Sequence, residues 1–389
     1  MSHTRIRYGL TRILEKLNYS PVTSIQGARQ VGKSYLAREI IPKKLKNAKY
    51  LTFDESAIKK FALSAPDTFL ADNDESHPII IDEAQKVPEI FDAVKLSVDN
   101  KKIPGRFLLL GSTEFSLEMN ITESLMGRLS RAMLYPLTVS ETLHLDPEYR
   151  ILSLNNISSK RITRADFLRY LNRGGLPGIF TVTENSKRSE LFNDWIQLLT
   201  SRDIFQFKKL KLDTDISNEI LIALAKSENT DLDGVVKYTK LNTKVVSTHL
   251  KALKQLFVVN SLKPSLLGAG KERFFLFDSG VANHLGASFK RKMQITFLNE
   301  ILAAIEYKGI FPVKVNTYVT ARGSVIDFML EYNKRKIAIK IFDKEDFDKR
   351  DFMVLTALKN KDPAVELYVL GAVDLKIDGI KQVEWEMAF

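Results

Sequence analysis

Eight residues, "GARQVGKS" from Gly27 to Ser34, have the spacing of a phosphate loop, GxxxxGK[ST]. Glycines in such a loop let the backbone curl until its N–H groups point at one anion. A helix starting there adds the positive end of its dipole. On this reading Gly27, Ala28, Arg29, Gln30, Val31 and Gly32 line the phosphates, Lys33 reaches the β- and γ-phosphates, and the Ser34 hydroxyl ligates Mg²⁺. The apolar run "IIIDE" supplies two acids: Asp82 for the Mg²⁺ shell and Glu83 to activate an attacking water. An acid pair after an apolar run is common strand-end punctuation; its place one strand unit beyond the phosphate loop gives it weight. The next apolar run ends "LLLGST", which brings Ser112 or Thr113 beside the loop, within reach of the γ-phosphate or the water. Then "ESLMGRLSRAM" offers Arg128, able to reach a neighbouring subunit's γ-phosphate and offset its developing charge, with Arg131 as a weaker candidate. These residue types suit the binding and hydrolysis of ATP with Mg²⁺.

Positioning them requires a sheet. "PVTSIQG", "AKYLTFD", "HPIIIDE" and "RFLLLGS" are apolar runs that end in a glycine, an acid or a small polar residue. They alternate with segments such as "SYLAREII" and "PEIFDAVKLSVD", whose apolar residues recur at three and four. That alternation predicts an α/β parallel sheet wrapped by helices, with ligands at the strand C-termini. "AMLYPLTVSE" (132–141) reads as a closing strand, and the polar stretch after it as a boundary.

The chain of 389 residues is too long for one ordinary core. Its apolar fraction of 44% and charged fraction of 27% are those of a soluble globular protein. No stretch approaches the ~18 to 20 apolar residues of a membrane helix, so no membrane partner is expected. "MSHTRIRYGLTRIL" lacks the apolar core of a secretion signal. With no cysteine there are no disulfides, thiolate metal sites or thiol nucleophiles, which fits a reducing, cytoplasmic setting. The net charge of +11 suggests a polyanionic partner, and its distribution along the chain matters more than its sum.

Residues 217–260 read as a helix-turn-helix unit: "SNEILIALAK", "LDGVVKYTK" and "NTKVVSTHLKALKQLFVV". In the last of these Val246, Leu250, Leu253 and Phe257 share an apolar face, while Lys244, Thr248, Lys251 and Gln255 fall opposite, with Lys254 alongside. Asn242 or Thr243 can cap its start. No acid lies between Asp233 and Glu272. Lys244, Thr248, Lys251 and Lys254 are therefore the expected DNA contacts, with "GAGKERFFLF" as a wing. The alternative is an ATP-dependent switch that docks a protein partner and ignores DNA.

In order and spacing, "GARQVGKS", "YLTFDES", "IIIDEAQKVPEIFDAVKLSVD", "FLLLGST", "ESLMGR" and "YPLTVSE" resemble a family of prokaryotic AAA+ ATPases with a C-terminal domain of unknown function. "NRGGLPG", "LLTSRDI", "FFLFDSGVANHL", "FLNEILAAIEYKG" and "VIDFMLEYNKRKIAIKI" continue the likeness over nearly the whole chain. The resemblance implies an oligomer-forming P-loop AAA+ core at 1–145, a helical segment and winged-helix module at 160–285, and a small α+β restriction-endonuclease-like domain at 290–389. It implies action on DNA, with branched or recombination intermediates as candidate substrates.

Nucleases of that last type need a carboxylate on one strand and Glu-x-Lys on the next. Here Asp327 matches the first, and Glu300 on the preceding helix could assist. Lys340 stands in the second acid's place and Phe342 in the lysine's, with Glu331 the only obvious substitute. A cation at a ligand position repels a metal, so this sheet is expected to be an inactive scaffold. The lone histidines, His249 and His284 among them, read as structural.

Overall fold

In the computed structural model, residues 5–74, 77–115, 125, 127–154, 157, 159–342, 352–371 and 377–389 are described. The chain divides into two compact units, Met1–Pro136 with Gln255–Phe257, and Leu137–Lys254 with Val258–Phe389.

The first unit is built on five parallel strands: β1 (Val22–Gln26), β2 (Lys49–Thr52), β3 (Ile79–Asp82), β4 (Phe107–Gly111) and β5 (Leu129–Met133). Their order is β2-β3-β4-β1-β5. The three central strands are buried throughout, which is why "IIID" and "FLLLG" are unbroken apolar runs rather than alternating ones. Edge strands β2 and β5 are partly exposed and carry Lys49 and Arg131. Helix Glu89–Asn100 packs Ile90, Phe91, Val94 and Val98 into the same core as Phe53, Phe69 and Leu109. Because the strands run parallel, Gln26, Asp82 and Gly111 all finish at one end of the sheet.

The closing strand differs from the reading of 132–141. It ends at Met133, and Val139–Thr142 is a short helix of the second unit. Pro136 interrupts any ladder, and Thr138 opens a capping box: its hydroxyl accepts from Glu141 N while Glu141 accepts from Thr138 N at 2.8 Å. The sequence "TVSE" carries this helix-start signature. The first division accordingly falls at Pro136 rather than at 145.

In the second unit three helices, Thr214–Lys226, Leu232–Thr239 and Thr243–Gln255, precede an antiparallel hairpin of β6 (Val259–Pro264) and β7 (Arg273–Leu276). Side chains cap all three: Asp213 accepts from Ile216 N, Asp231 from Gly234 N, and Asn242 from Lys244 N. Val246, Leu250 and Leu253 are buried as the apolar face requires. Two residues depart from the expected faces. Phe257 lies past the helix end with φ of 58° and is only half-buried, while Leu256 and Val258 are buried instead; Gln255 is buried rather than solvent-facing.

The remaining strands are β8 (Lys314–Val319), β9 (Val325–Tyr332), β10 (Arg335–Ile341), β11 (Val365–Leu370) and β12 (Ile380–Val383). They join the hairpin in one seven-stranded sheet, β12-β11-β10-β9-β8-β6-β7, because β6 pairs in parallel with β8. No division therefore separates 285 from 290; the expected middle and last domains share a sheet. Helix Phe289–Lys308 is buried along most of its length, polar residues such as Arg291, Gln294 and Glu300 included.

One buried carboxylate fastens this unit. Asp278 is fully buried and accepts from Gly175 N at 2.6 Å and Val281 N at 3.0 Å, joining "NRGGLPG" to "FDSG". Gly174 has φ 70° and ψ −166°, a region open essentially to glycine alone. A Cβ there would sit 2.2 Å from Asp278 Oδ1. Gly174→Ala is therefore expected to destabilise the second unit by roughly 2–3 kcal/mol or more. The check is the denaturant midpoint of that unit; a midpoint equal to wild type would mean the loop can rearrange freely.

Candidate functional site

The phosphate loop follows β1, whose five buried residues fix its start. Gly27 has φ 152°, and a Cβ there would lie 2.2 Å from the Leu134 carbonyl oxygen, so the first loop glycine is needed for close approach. Gln30 and Gly32 are left-handed, and the helical stretch 33–44 begins directly after them. Arg7, ahead of the loop in sequence, donates to the Val31 carbonyl and, at 2.6 Å, to the Tyr135 carbonyl. The loop is thus held from outside as well as by its own turn. Arg7 was not singled out from sequence; a basic residue before the first strand gives no local signal.

Lys33 is buried, with its ammonium donating to the carbonyls of Gly27 at 2.7 Å and Ala28 at 2.9 Å. Burial pushes its pKa down to about 8, against the charges of Glu83 and Asp82, which pull it up. Those two acids stand at the end of β3, at the same sheet end as the loop. Asp82 is buried; Oδ1 accepts from Glu83 N at 2.9 Å, and Oδ2 accepts from the Tyr50 hydroxyl at 2.6 Å. Burial, then the bond to Asp82, pushes the Tyr50 pKa up, so Tyr50 stays a donor. Tyr50 and Thr52 share one face of β2, and Thr52 is paired with Asp82, which explains the reach.

Glu83 sits in a left-handed turn, φ 55°. Its Oε2 accepts from Gln85 Nε2 and, at 3.4 Å, from Ser112 Oγ. Ser112 is thereby placed on the Glu83 carboxylate. Burial raises the Glu83 pKa, opposed first by Lys33. Tyr50 and Gln85 were missed from sequence because a tyrosine in a strand and a glutamine after an acid are ordinary residues there.

Ser34 is exposed at the helix start. Two carboxylates beside the phosphate position would repel ATP, so the donor set calls for a divalent cation between them. Mg²⁺ typically takes only one or two carboxylates, with phosphate and water oxygens completing its shell. Ser34 and Asp82 fit that role. Among the described residues there is no group of three His, Asp or Glu placed for a metal. When bound, the ion would neutralise phosphate charge.

Arg128 is not brought to this site. It precedes β5 beside the start of β1, where its carbonyl accepts from Val22 N at 3.3 Å, and its Nε pairs with Asp99 at 2.6 Å. The phosphate loop is at the other end of β1, about 16 Å away by strand rise. Arg128 cannot serve the loop of its own chain. Most of the segment before it, 116–124 and 126, lies outside the described residues.

Residues 19–143 match the model of a family described as AAA domain. The first unit has an AAA-like α/β core. Residues 164–292 match a Domain of unknown function (DUF8612). Uncharacterized protein Rv2008c of Mycobacterium tuberculosis and Uncharacterized protein Mb2031c of Mycobacterium bovis are each 29% identical over 287 residues. The alignment covers 72% of this chain and 59% of either relative, so the chain spans under two thirds of their length. Among solved structures, the Walker-type ATPase PABY2304 of Pyrococcus abyssi is 16% identical with a TM-score of 0.43, covering 71% of this chain and 94% of that one. AMPPCP-bound DnaA from Aquifex aeolicus is 12% identical with a TM-score of 0.31, covering 63% and 85%.

The other expected sites lie in the second unit. Lys244 and Lys251 are exposed on helix Thr243–Gln255; Thr248 is half-buried and its hydroxyl donates to the Lys244 carbonyl at 2.8 Å. Lys254 differs: it pairs with Glu272 at 2.9 Å and lies over the Phe274 ring. His249 is structural, donating from Nδ1 to the Val245 carbonyl and accepting at Nε2 from Asp213 N. Asp327 is buried, and both its oxygens are engaged, Oδ1 with Gln294 Nε2 at 2.6 Å and Oδ2 with Ile341 N at 2.7 Å. Glu300 does not assist Asp327; it accepts from Val139 N at 2.7 Å, and burial pushes its pKa up to about 8. Lys340 donates to the Val325 carbonyl at 2.9 Å, and Glu331 pairs with Lys314 at 3.9 Å. Among the described residues no helix is long and apolar enough to cross a membrane.

The two perturbed groups set opposite pH limits. ATP affinity should weaken as pH rises through about 8, where free Lys33 loses its proton. Turnover should fall on the acid side at a pH above the ordinary glutamate range, as Glu83 protonates. Binding titrations and kcat profiles across this range check both limbs; a flat binding curve would remove Lys33 from phosphate contact.

Proposed function

We propose that the protein hydrolyses ATP with Mg²⁺ and couples that turnover to action on DNA, branched or recombination intermediates being candidate substrates. The observation that carries the reading is the convergence of Lys33, Asp82 and Glu83 at one sheet end, with Ser112 and Gln85 on Glu83. In this mechanism the loop amides and Lys33 hold the phosphates, and Ser34 and Asp82 orient the ion. Glu83 takes the water's proton, while Tyr50 keeps Asp82 in place. The DNA half rests on the acid-free span 234–271, on exposed Lys244 and Lys251, and on the three helices plus hairpin, read here as a winged helix. Cytoplasmic location fits a chain without cysteine. The rival reading, docking of a protein partner without DNA, has the same ATPase core and is separated by the same assay.

That assay is ATPase rate with and without single-stranded, duplex and branched DNA. Stimulation by DNA is expected. Replacing Lys244 and Lys251 with glutamate should remove the stimulated part and keep the basal rate. It should also flatten the salt dependence of DNA binding by about one unit of slope per lost contact. Wild-type protein with no DNA affinity at low salt would hand the case to the docking alternative.

Arg128, remote from its own loop, is proposed to act on the nucleotide of a neighbouring copy in a homo-oligomer. Arg128→Ala should bind ATP yet lose hydrolysis, and Glu83→Gln should do likewise. Mixing the two should restore some activity, because one kind of interface then holds both intact residues. A wild-type monomer fully active with ATP would rule this out.

A further inference from the structure

We propose that the loop between β6 and β7 is a wedge that inserts Leu266 between adjacent bases of bound DNA. This rests on the reading that helix Thr243–Gln255 contacts DNA, and it adds a second, apolar contact to that charged one. Leu266 is 99% exposed. A scattered surface leucine needs no explanation, but this one stands on a turn that is built to present it. Ser265 is buried, its N donates to the Thr317 carbonyl at 2.7 Å, and its carbonyl accepts from Gly268 N at 3.0 Å. Its hydroxyl accepts from Leu267 N at 3.3 Å. Ala269 N then donates to the Val319 carbonyl at 2.8 Å. Gly268 lies so close to β8 that a Cβ would sit 2.9 Å from the Val319 carbonyl oxygen. Both ends of the turn are thus tied to β8, and the side chain between them meets only solvent.

The charge around the tip selects the partner. Leu266 lies in the span with no acidic residue, and Lys263, three residues before it, is exposed. Lys361, from helix Met353–Lys361, donates to the Leu267 carbonyl at 3.4 Å, which adds a cation from another element. The acids that bracket the span are already matched, Asp233 by Lys271 and Glu272 by Lys254. An apolar side chain on a turn flanked by Lys263 and Lys361 suits a stack of apolar base faces lined by phosphates. Leucine wedges of this kind part a base step and bend the duplex. A step already unpaired, at a branch or a single-stranded end, costs least to open, so branched DNA should be preferred over intact duplex.

The test is Leu266→Trp as a reporter in the full chain. Trp195 and Trp385 are buried and give a steady background. Titration with branched DNA at low salt should quench the new emission by stacking. Leu266→Ser, at a position with no packing to lose, should keep the fold and the basal ATPase rate. It should lower affinity for branched DNA about tenfold, roughly the worth of one buried apolar side chain. The salt slope should stay unchanged, since no charge is removed. Unquenched emission while DNA binds, or wild-type affinity in Leu266→Ser, would overturn the wedge and leave the helix contact standing. Emission that brightens with anionic vesicles but ignores DNA would overturn it in favour of a membrane contact. A wild type that binds no DNA would sink the wedge together with the reading beneath it.

Discussion

The first unit depends on holding one ammonium out of water. Burying an unpaired lysine costs on the order of several kcal/mol. Lys33 is tolerated because two loop carbonyls accept from it and two carboxylates oppose its charge. The carbonyls and the carboxylates come from two different parts of the unit. Gly27 and Ala28 can offer their oxygens only because Gly27 lies against Leu134 and the loop turns left-handed at Gln30 and Gly32. Asp82 and Glu83 reach Lys33 only because β3 ends level with the loop in a parallel sheet. The buried strands are the means by which these charges meet.

What sequence could read here follows from that geometry. A phosphate loop and an acid pair are written in consecutive residues, and fully buried parallel strands appear as apolar runs, so the sheet was legible, and with it the place of Gly27–Ser34, Asp82, Glu83 and Ser112 at one of its ends. Tyr50, Gln85 and Arg7 were not. Each acts across the sheet or from outside the loop, and nothing local marks a tyrosine that will face an aspartate on the next strand. The place of Arg128 was hidden for the same reason: the run after β4 says that an arginine follows, not at which end of the sheet it emerges. The closing strand was misplaced although its correction is local, since Pro136 and the capping box at Thr138 stand in plain sequence.

The second unit shows how residues of a metal-site pattern can become structural. Asp327 reads from sequence as a first carboxylate, yet a side-chain amide and a backbone N–H occupy its two oxygens. Lys340 binds a carbonyl, and Glu300 faces the start of helix Val139–Thr142 instead of Asp327. Periodicity placed these residues on the right elements but could not say which way each carboxylate turns. The shared sheet was equally hidden: β6 pairs with β8 across β7 and the helices Ser279–His284 and Phe289–Lys308, and no short-range pattern encodes a pairing so distant.

Net charge is the point at which sequence and structure differ most in what they count. Seven lysines lie between Asp233 and Glu272 with no acid among them, and in sequence they are equivalent. In the fold they are not. Lys254 and Lys271 are matched by the two acids that bracket the span, and Lys254 also covers an aromatic ring. Lys237, Lys240, Lys244, Lys251 and Lys263 are exposed and lie on different elements. A pair in water contributes little, so the matched lysines are not thereby strongly fixed. They are nonetheless the ones whose field is already offset, and a polyanion gains least from them. The positive surface of this span is therefore set by the exposed lysines of the second and third helices and the hairpin, a few side chains whose removal can be measured.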